Sequence, residues 1–210
     1  MSEIPRSFEV SAHLSLAEGN WTDAIAQGTN WLRDQPFSKR PAIFTSYVSS
    51  LVEDYTRSIA ILQESLKLNH HDSMLMNNLA FALASDNRTT DAIEVLRATD
   101  YERASGMAGI TLAATHGLVA FRTNNPDVGR QLYRLAIDRA NKLGIKKYPL
   151  MADLYLAREE VIAHTSAAPA AVRQALEKAS ASSEKEVAVI AEQVRELFEE
   201  RASASVNKRS

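Results

Sequence analysis

Apolar residues recur at spacings of three and four along most of the chain, which is the period of an amphipathic α-helix. No segment alternates apolar and polar residues between turn clusters, as a half-buried β-strand would. N-cap candidates stand directly before several periodic segments, at Asn20, Asp72, Asn125 and Ser183. Together these signals predict eleven helices, near residues 6–18, 21–34, 40–53, 54–68, 73–86, 89–99, 105–123, 126–143, 149–165, 169–180 and 183–202.

The turn-forming residues support long helices with short connections. The chain has only 7 glycines and 6 prolines among its 210 residues. Proline is tolerated in the first turn of a helix and just beyond its end. Five prolines open periodic segments and one follows a segment: Pro5, Pro41, Pro126, Pro149 and Pro169, then Pro36. Helices joined by such short links must mostly run antiparallel to their neighbours, so we expect an all-α stack of helix hairpins.

The sequence repeats with a period of 34 residues. Three segments align without gaps: GNWTDAIAQGTNWLRDQP from Gly19, EDYTRSIAILQESLKLNH from Glu53 and NRTTDAIEVLRATD from Asn87. A fourth, NNPDVGRQLYRLAIDRA, begins 37 residues later at Asn124, which predicts an insertion of three residues near 101–105. Self-similarity at a period of this length is typical of solenoid proteins.

The positions that coincide in these copies resemble the tetratricopeptide repeat (TPR) family. Small residues fall at the family's places in the first helix of a repeat (Ala12, Ala80, Gly117) and in the second (Ala24, Ser58, Ala92, Gly129), and Pro36 matches its final proline. The resemblance implies a right-handed α-solenoid of about five stacked antiparallel helix pairs. The array then spans residues 1–182, with repeats near 5–38, 39–72, 73–106 and 110–143 and a looser pair at 149–180. A generic helical bundle and a solenoid with another repeat length are the alternatives.

The last predicted helix, 183–202, is strongly amphipathic. Its apolar side carries Val187, Ile190, Ala191, Val194, Leu197 and Phe198, and its opposite side carries Glu184, Lys185, Glu192, Arg195, Glu199 and Glu200. The final helix of a solenoid must bury one side and expose the other, so we interpret it as a C-terminal cap. A helix lying on a membrane surface is the rival interpretation, but anionic lipid would repel its acidic side. Residues 203–210 are predicted to be a flexible tail.

Composition excludes several classes of chemistry. The chain has no cysteine, so it has no disulfide, thiolate zinc site or cysteine nucleophile. Its net charge of −2 does not favour direct nucleic-acid binding. No apolar run reaches a membrane-spanning length, and the N-terminus lacks the features of a secretory signal. We therefore expect a cytoplasmic protein with no membrane partner.

No catalytic or metal-binding constellation emerges from the residues. His70, His71 and Asp72 form the tightest group of possible metal ligands, but their spacing suits a solvated turn between repeats better than a zinc site. His116 falls at a usually buried place and is interpreted as a core histidine. The neighbouring carboxylates Glu159 and Glu160 cannot share a helix face, so they make a poor acid–base pair. We expect no cofactor and no enzymatic activity.

The TPR resemblance implies a partner-binding groove lined by the first helix of each repeat. Carried over to this sequence, its lining comprises Arg6, Glu9, His13, Arg40, Phe44, Tyr47, Asn77, Asn78, Phe81, Thr115 and Arg122. The clamp that some family members use for terminal carboxylates is absent, because Ile43 and Tyr47, then Thr111 and Thr115, stand at its places. The leading hypothesis is a non-enzymatic scaffold or adaptor that holds a partner peptide or domain.

A basic stretch supports an alternative. Between Arg122 and Lys147 there are seven basic residues and two acidic ones, and Arg130 and Arg134 lie four residues apart on one predicted helix. Such an outer face could bind an acidic partner. The chain would then be a regulatory or sensor domain of a larger complex, which could be associated with nucleic acid.

Overall fold

A computed structural model of the protein describes residues 7–207, and side chains up to residue 204. All regular secondary structure over that range is helical. The described residues form eleven α-helices and no strand, which confirms the all-α fold class. The helices are α1 (Phe8–Glu18), α2 (Trp21–Asp34), α3 (Lys39–Leu51), α4 (Tyr55–Leu68), α5 (Ser73–Ser85), α6 (Thr89–Leu96), α7 (Gly106–Arg122), α8 (Pro126–Lys142), α9 (Lys147–Ile162), α10 (Ala168–Ser180) and α11 (Lys185–Asn207).

The helix starts follow the predicted capping chemistry in part. The side chains of Asn20 and Asp72 accept hydrogen bonds from backbone N–H groups in the first turns of α2 and α5. Asp54 does the same for α4. Asn125 is the N-cap residue of α8, as predicted, but its side chain forms no cap bond. Its amide instead donates to the carbonyl of Thr123, and Pro126 occupies the first turn, where no N–H is needed.

One left-handed turn recurs at the end of α1, α3, α5, α7 and α9. In each case one residue has a φ between 52° and 78°: Gly19, Glu53, Asn87, Asn124 and His164. The next residue's N–H donates to the carbonyl five positions earlier, over 2.8–3.1 Å. This is the six-to-one bond of a Schellman motif, which satisfies carbonyls left open at a helix end. The first four of these residues begin the four segments that align in the sequence, so the repeated turn reproduces the repeat register.

Small residues at the register positions allow paired helices to approach closely. Ala24, Ser58 and Ala92 are completely buried, and Gly129 is buried too. The hydroxyl groups of Ser50 and Ser58 are 2.9 Å apart between α3 and α4. A Cβ atom added to Gly129 would lie 2.3 Å from the Phe121 ring and 3.0 Å from the carbonyl oxygen of Gly117. The small residues that recur in the sequence therefore mark the places where paired helices touch.

The first compact unit comprises α1–α6 and ends at Thr99. Consecutive helices pack against one another, and α3 also packs on α5. A buried cluster at its N-terminal end comprises Ala12, Ala24, Ile25, Trp31, Phe44 and Val48. Since α3 lies between α2, α4 and α5, almost every residue from Pro41 to Leu51 is buried.

The second compact unit comprises α7–α11 and begins at Asp100. The irregular segment between α6 and α7 contains the predicted insertion. Arg139 of α8 holds this segment, because its guanidinium donates to the carbonyls of Tyr101 and Gly109 at 2.7 Å each. The insertion is thus an ordered part of the second unit.

The last helix covers α9 and α10 with one side. Val187, Ile190 and Val194 are completely buried, whereas the six charged residues predicted on the opposite side are all exposed. The helix continues to Asn207, beyond the predicted end at residue 202. The predicted tail at 203–210 is therefore helical as far as 207, and its last three residues lie outside the described range.

The recurrent turn gives a first prediction, at Glu53. This residue adopts φ 62°, a left-handed conformation that costs an L-residue with a Cβ about 1–2 kcal/mol. Glycine escapes that cost but loses more entropy on folding, so Glu53→Gly should raise the free energy of unfolding by about 0.5–1 kcal/mol. Urea denaturation followed by circular dichroism measures it. The control Ala60→Gly, at an exposed position within α4, should lower stability by about 1 kcal/mol. Equal losses in both variants would contradict the turn's role.

The close helix contact gives a second prediction, at Gly129. A glycine-to-alanine change within a helix normally stabilises a protein by about 0.5–1 kcal/mol. Here the new methyl group would meet the Phe121 ring and the Gly117 carbonyl, so we expect a loss of about 1–3 kcal/mol. Urea denaturation again provides the measurement, with the exposed Gln131→Ala on the same helix as the neutral control. A gain in stability for Gly129→Ala would show that α7 and α8 do not require the small residue.

Candidate functional site

In the first unit, α3 and α5 are each the first helix of a repeat, and each carries a narrow row of side chains that are accessible to solvent. On α3 these are exposed Arg40 and half-buried Ile43 and Tyr47, one turn apart. On α5 the half-buried residues Met74, Asn78 and Phe81 follow the same spacing. We call these two rows the inner stripes. From Ile43 to Tyr47 and from Met74 to Phe81 they carry no charged side chain.

At the N-terminal end of this surface, a cluster of aromatic rings links α1 to α3. The His13 ring lies 4.8 Å from the Phe44 ring, edge to face, and 5.9 Å from the Trp31 ring. Arg40 forms an ion pair with Glu9 and lies over the Trp31 ring at 5.6 Å. The structure therefore brings together four of the predicted groove residues. Phe44 itself is 7% exposed, so it belongs to the core and not to the binding surface, because α2 covers it.

The two cations that begin α3 are neutralised. Arg40 pairs with Glu9, and the Lys39 ammonium lies 2.5 Å from the Asp72 carboxylate. Burial opposes ionisation of Asp72, but hydrogen bonds from Lys39 and from the N–H groups of Leu75 and Met74, with the Lys39 charge, lower its pKa overall. Asp72 is thus committed to a helix cap and an ion pair. Among the described residues no group of histidines and carboxylates could hold a metal ion.

The amide of Asn77 is the most unusual polar group on this surface. Asn77 is 4% exposed, and its amide NH₂ donates to the Asn78 side-chain oxygen over 3.3 Å. Its own side-chain oxygen has no hydrogen-bond partner among the described residues. Leaving a buried acceptor unsatisfied costs about 1–3 kcal/mol. Because the half-buried Asn78 belongs to the α5 inner stripe, the buried Asn77 amide lies directly beneath a residue of the accessible surface.

The predicted groove residues of the second unit lie elsewhere. Thr115 is 3% exposed and belongs to the core of that unit. Arg122 donates to both carboxylate oxygens of Glu159, at 2.6 and 3.2 Å, and so links α7 to α9. These two residues therefore do not belong to an open groove. Arg6 lies outside the described residues.

A buried ion-pair network fixes the end of α9. Glu159 is completely buried and Glu160 is 2% exposed. Glu160 accepts two hydrogen bonds from Arg130 of α8, at 2.6 and 2.9 Å, and a third from the Thr165 hydroxyl. Arg158, also buried, bonds Glu159 at 3.2 Å and lies over the Tyr155 ring. As predicted, the two carboxylates face different helices, but each is a structural partner of an arginine.

The predicted basic outer face is largely neutralised by these contacts. Arg130 pairs with Glu160 and Asp127, and the hydrogen bond to Glu160, despite burial, raises its pKa. Arg122 and Lys147 pair with Glu159 and Glu186. Arg130 is therefore not an open contact, which corrects that part of the prediction. Arg134 remains exposed.

His116 is half-buried on α7 and does not belong to the fully buried core. The centroid of its ring lies 4.7 Å from that of the tilted Tyr101 ring, and burial lowers the pKa of His116 although the nearby Asp100 charge opposes this. Both contacts lie within the second unit. The interpretation of His116 as a core histidine is therefore met only in part, because the ring packs on Tyr101 but is not fully buried.

Comparisons with known proteins give a likeness in structure but none in sequence. No protein-family model and no curated protein sequence matches the chain. A solved chain titled "MamA RS-1 ArsTM double mutant" is similar to it with a TM-score of 0.51 and 17% sequence identity. The match covers 93% of this chain and 95% of the other. Together with the eleven helices of the described residues, this likeness shows that the chain has an all-α solenoid fold.

Between residues 7 and 207, none of the helices has both the length and the apolar character needed to cross a membrane.

The ion-pair network gives a third prediction, at Glu159. Glu159→Gln would leave Arg122 and Arg158 buried without their shared carboxylate, and breaking a buried pair costs about 3–5 kcal/mol. The free energy of unfolding, measured by urea denaturation, should fall by that amount. Glu196→Gln, at an exposed position of α11, is the matched control and should change it by less than about 0.5 kcal/mol. If both variants unfold alike, the network does not stabilise the second unit.

Proposed function

We propose that this chain is a non-enzymatic interaction scaffold of the tetratricopeptide repeat type. Its inner stripes on α3 and α5, with Glu9 and His13 of α1, bind an extended peptide segment of a partner protein. The buried, unsatisfied oxygen of Asn77 carries the proposal, because a ligand N–H would remove the cost of that orphaned acceptor.

The chemistry of the inner stripes suits a peptide backbone. Asparagine side chains offer both donors and acceptors, and an extended peptide presents N–H and C=O groups along its length. Tyr47 and Phe81 lie half-buried on the two stripes, where their rings can pack against ligand side chains. Aromatic anchors of this kind commonly dominate binding energy.

The charges on and near the inner stripes do not require an acidic ligand. The stripes are uncharged between Ile43 and Tyr47 and between Met74 and Phe81, and both cations at the start of α3 are already paired. Binding should therefore depend on apolar contacts and hydrogen bonds, which salt screens little.

A scaffold role also fits the way buried charges are used in the second unit. Its buried charged residues Arg158, Glu159, Glu160 and Glu186 each form an ion pair within the fold. Such pairs hold helices together, whereas a catalytic acid or base must be able to reach a substrate.

The fourth prediction tests the inner stripes with a selected ligand. Peptides would be selected against the whole chain from a display library, and the affinity of the tightest one measured by calorimetry. Tyr47→Ala and Phe81→Ala should each weaken binding about 30-fold, which corresponds to about 2 kcal/mol at a hot spot. The control Phe37→Ala changes an aromatic residue that is 78% exposed between α2 and α3, and it should bind normally.

The same peptide also tests the alternative, in which the basic outer face makes the contact instead of the inner stripes. If Arg134 provides the contact, Arg134→Glu should abolish binding, and raising the salt concentration should weaken it steeply because exposed charges are screened within about 8–10 Å. If the inner stripes provide it, neither change should matter much. Normal binding by the Tyr47 and Phe81 variants, with loss in the Arg134 variant, would overturn the proposal.

A further inference from the structure

We propose that the ligand of the inner stripes is an uncharged proline-rich segment in the polyproline II conformation, with prolines three residues apart and residues that keep their N–H groups between them. The inference rests on the proposed function and names the class of peptide that this surface selects. Two features carry it: the spacing of the aromatic residues Tyr47 and Phe81, and the orphaned oxygen of Asn77.

Tyr47 and Phe81 occupy equivalent places in neighbouring repeats. Each is followed six residues later by the left-handed turn residue beyond its helix, which is Glu53 after α3 and Asn87 after α5. The two helices pack against each other, and they run in the same direction because α4 returns the chain between them. Since the axes of packed helices are about 8–10 Å apart, the two half-buried aromatic residues offer contacts separated by about that distance.

This distance matches some peptide conformations and not others. A β-strand places side chains on one side about every 6.6 Å, and the next such position is about 13 Å away. In a polyproline II helix every third residue faces the same way, about 9.3 Å apart at about 3.1 Å per residue. An α-helix presents equivalent side chains about 10.8 Å apart after two turns. The spacing therefore favours a polyproline II or an α-helical ligand over a β-strand.

The oxygen of Asn77 discriminates between these two conformations. Asn77 is 4% exposed, and this oxygen accepts no hydrogen bond within the described part of the chain. An α-helix bonds its N–H groups internally beyond its first turn, so its interior has none to donate. A polyproline II backbone forms no internal hydrogen bonds and keeps the N–H of every residue that is not proline. Only the polyproline II ligand meets both the spacing and the orphaned acceptor.

A ligand N–H must pass Asn78 to reach this oxygen. Asn78 is half-buried on the α5 inner stripe and accepts the hydrogen bond that the Asn77 amide donates. Side chains at a surface change rotamer within nanoseconds, so Asn78 can turn aside when the ligand arrives. Because the residue that meets Asn77 must have an N–H, it lies between the prolines and is not itself one.

The chemistry of the inner stripes also suits proline. Proline-rich segments bind grooves lined by aromatic side chains, and their preformed conformation loses little entropy on binding. Residues 43–47 and 74–81 include no charged side chain, so the residues between the prolines need none. At the edge of this surface, Lys39 and Arg40 are already paired with carboxylates of the fold. An uncharged ligand therefore complements an uncharged surface.

Calorimetry of the whole chain with three capped octapeptides tests the inference. APLAPLAP has prolines three residues apart, and APLPAPLA has the same composition with prolines two residues apart. The third peptide is APLAPLAP with an N-methyl group on every residue between its prolines, so that these residues have no N–H. We expect APLAPLAP to bind at least about tenfold more tightly than either of the others. The isomer misplaces its rings, and the methylated peptide cannot donate to Asn77.

Variants of the chain locate the contact. Tyr47→Ala and Phe81→Ala should each remove the preference for APLAPLAP over its isomer, because each deletes one of the two aromatic contacts. Phe37→Ala changes an aromatic residue that is 78% exposed outside the stripes, and it should keep the preference. Circular dichroism checks that the variants fold, and the comparison of peptides on the parent chain does not depend on them.

Several results would overturn the inference: equal affinity for the three peptides, tighter binding of the isomer or of the methylated peptide, or a dissociation constant for APLAPLAP above about 1 mM. These results are distinct from a failure of the proposed function. If display selects peptides that lack the proline spacing but lose affinity with Tyr47→Ala and Phe81→Ala, the inner stripes still bind a peptide, and only the proline-rich ligand is wrong.

Discussion

The close approach of paired helices through small residues is the constraint on which the rest of this structure depends. Gly117 and Gly129 bring α7 and α8 so near that a Cβ on either would touch the other's carbonyl oxygen at 3.0–3.2 Å. In the first unit the Ser50 and Ser58 hydroxyls meet at 2.9 Å. Helices packed this tightly bury nearly all of their surface. Between Pro41 and Leu51 of α3 and between Met74 and Ala84 of α5, only inner-stripe residues escape burial, so the packing also determines which residues can meet a partner.

The two units use their polar side chains differently. In the second unit, arginines and carboxylates neutralise one another between helices, through Arg122 with Glu159 and Arg130 with Glu160. In the first unit, the amide of Asn77 is buried next to the inner-stripe residue Asn78, and its oxygen is unsatisfied. A buried ion pair with both partners present completes its own hydrogen bonding, whereas an orphaned acceptor gains from a ligand. The proposed function rests on this difference.

Much of the fold could be predicted from the sequence because its constraints are local. The repeat register fixed Glu53, Asn87 and Asn124 at equivalent places, and each lies in the same left-handed turn. The ion pairs could not be predicted in this way, because Arg122 and Glu159 are 37 residues apart and spacing along one helix does not reveal a partner on another. The run of Arg158, Glu159 and Glu160 between the apolar segments LYLA and VI of α9 was the available signal. Arg130, Phe44 and Thr115 were assigned to surfaces for the same reason: burial depends on the neighbouring helices.

The most direct test of the central claim, that the inner stripes recognise a partner peptide, is a chemical-shift titration by NMR. The labelled chain would be titrated with a selected peptide, and the backbone and side-chain amide signals followed. The account predicts that the largest shifts fall on α3 and α5, with the Asn77 and Asn78 side-chain amides among them. Signals from the exposed side of α4 and from α8 should stay in place. Shifts centred on α8 around Arg134, with the Asn77 amide unchanged, would contradict it.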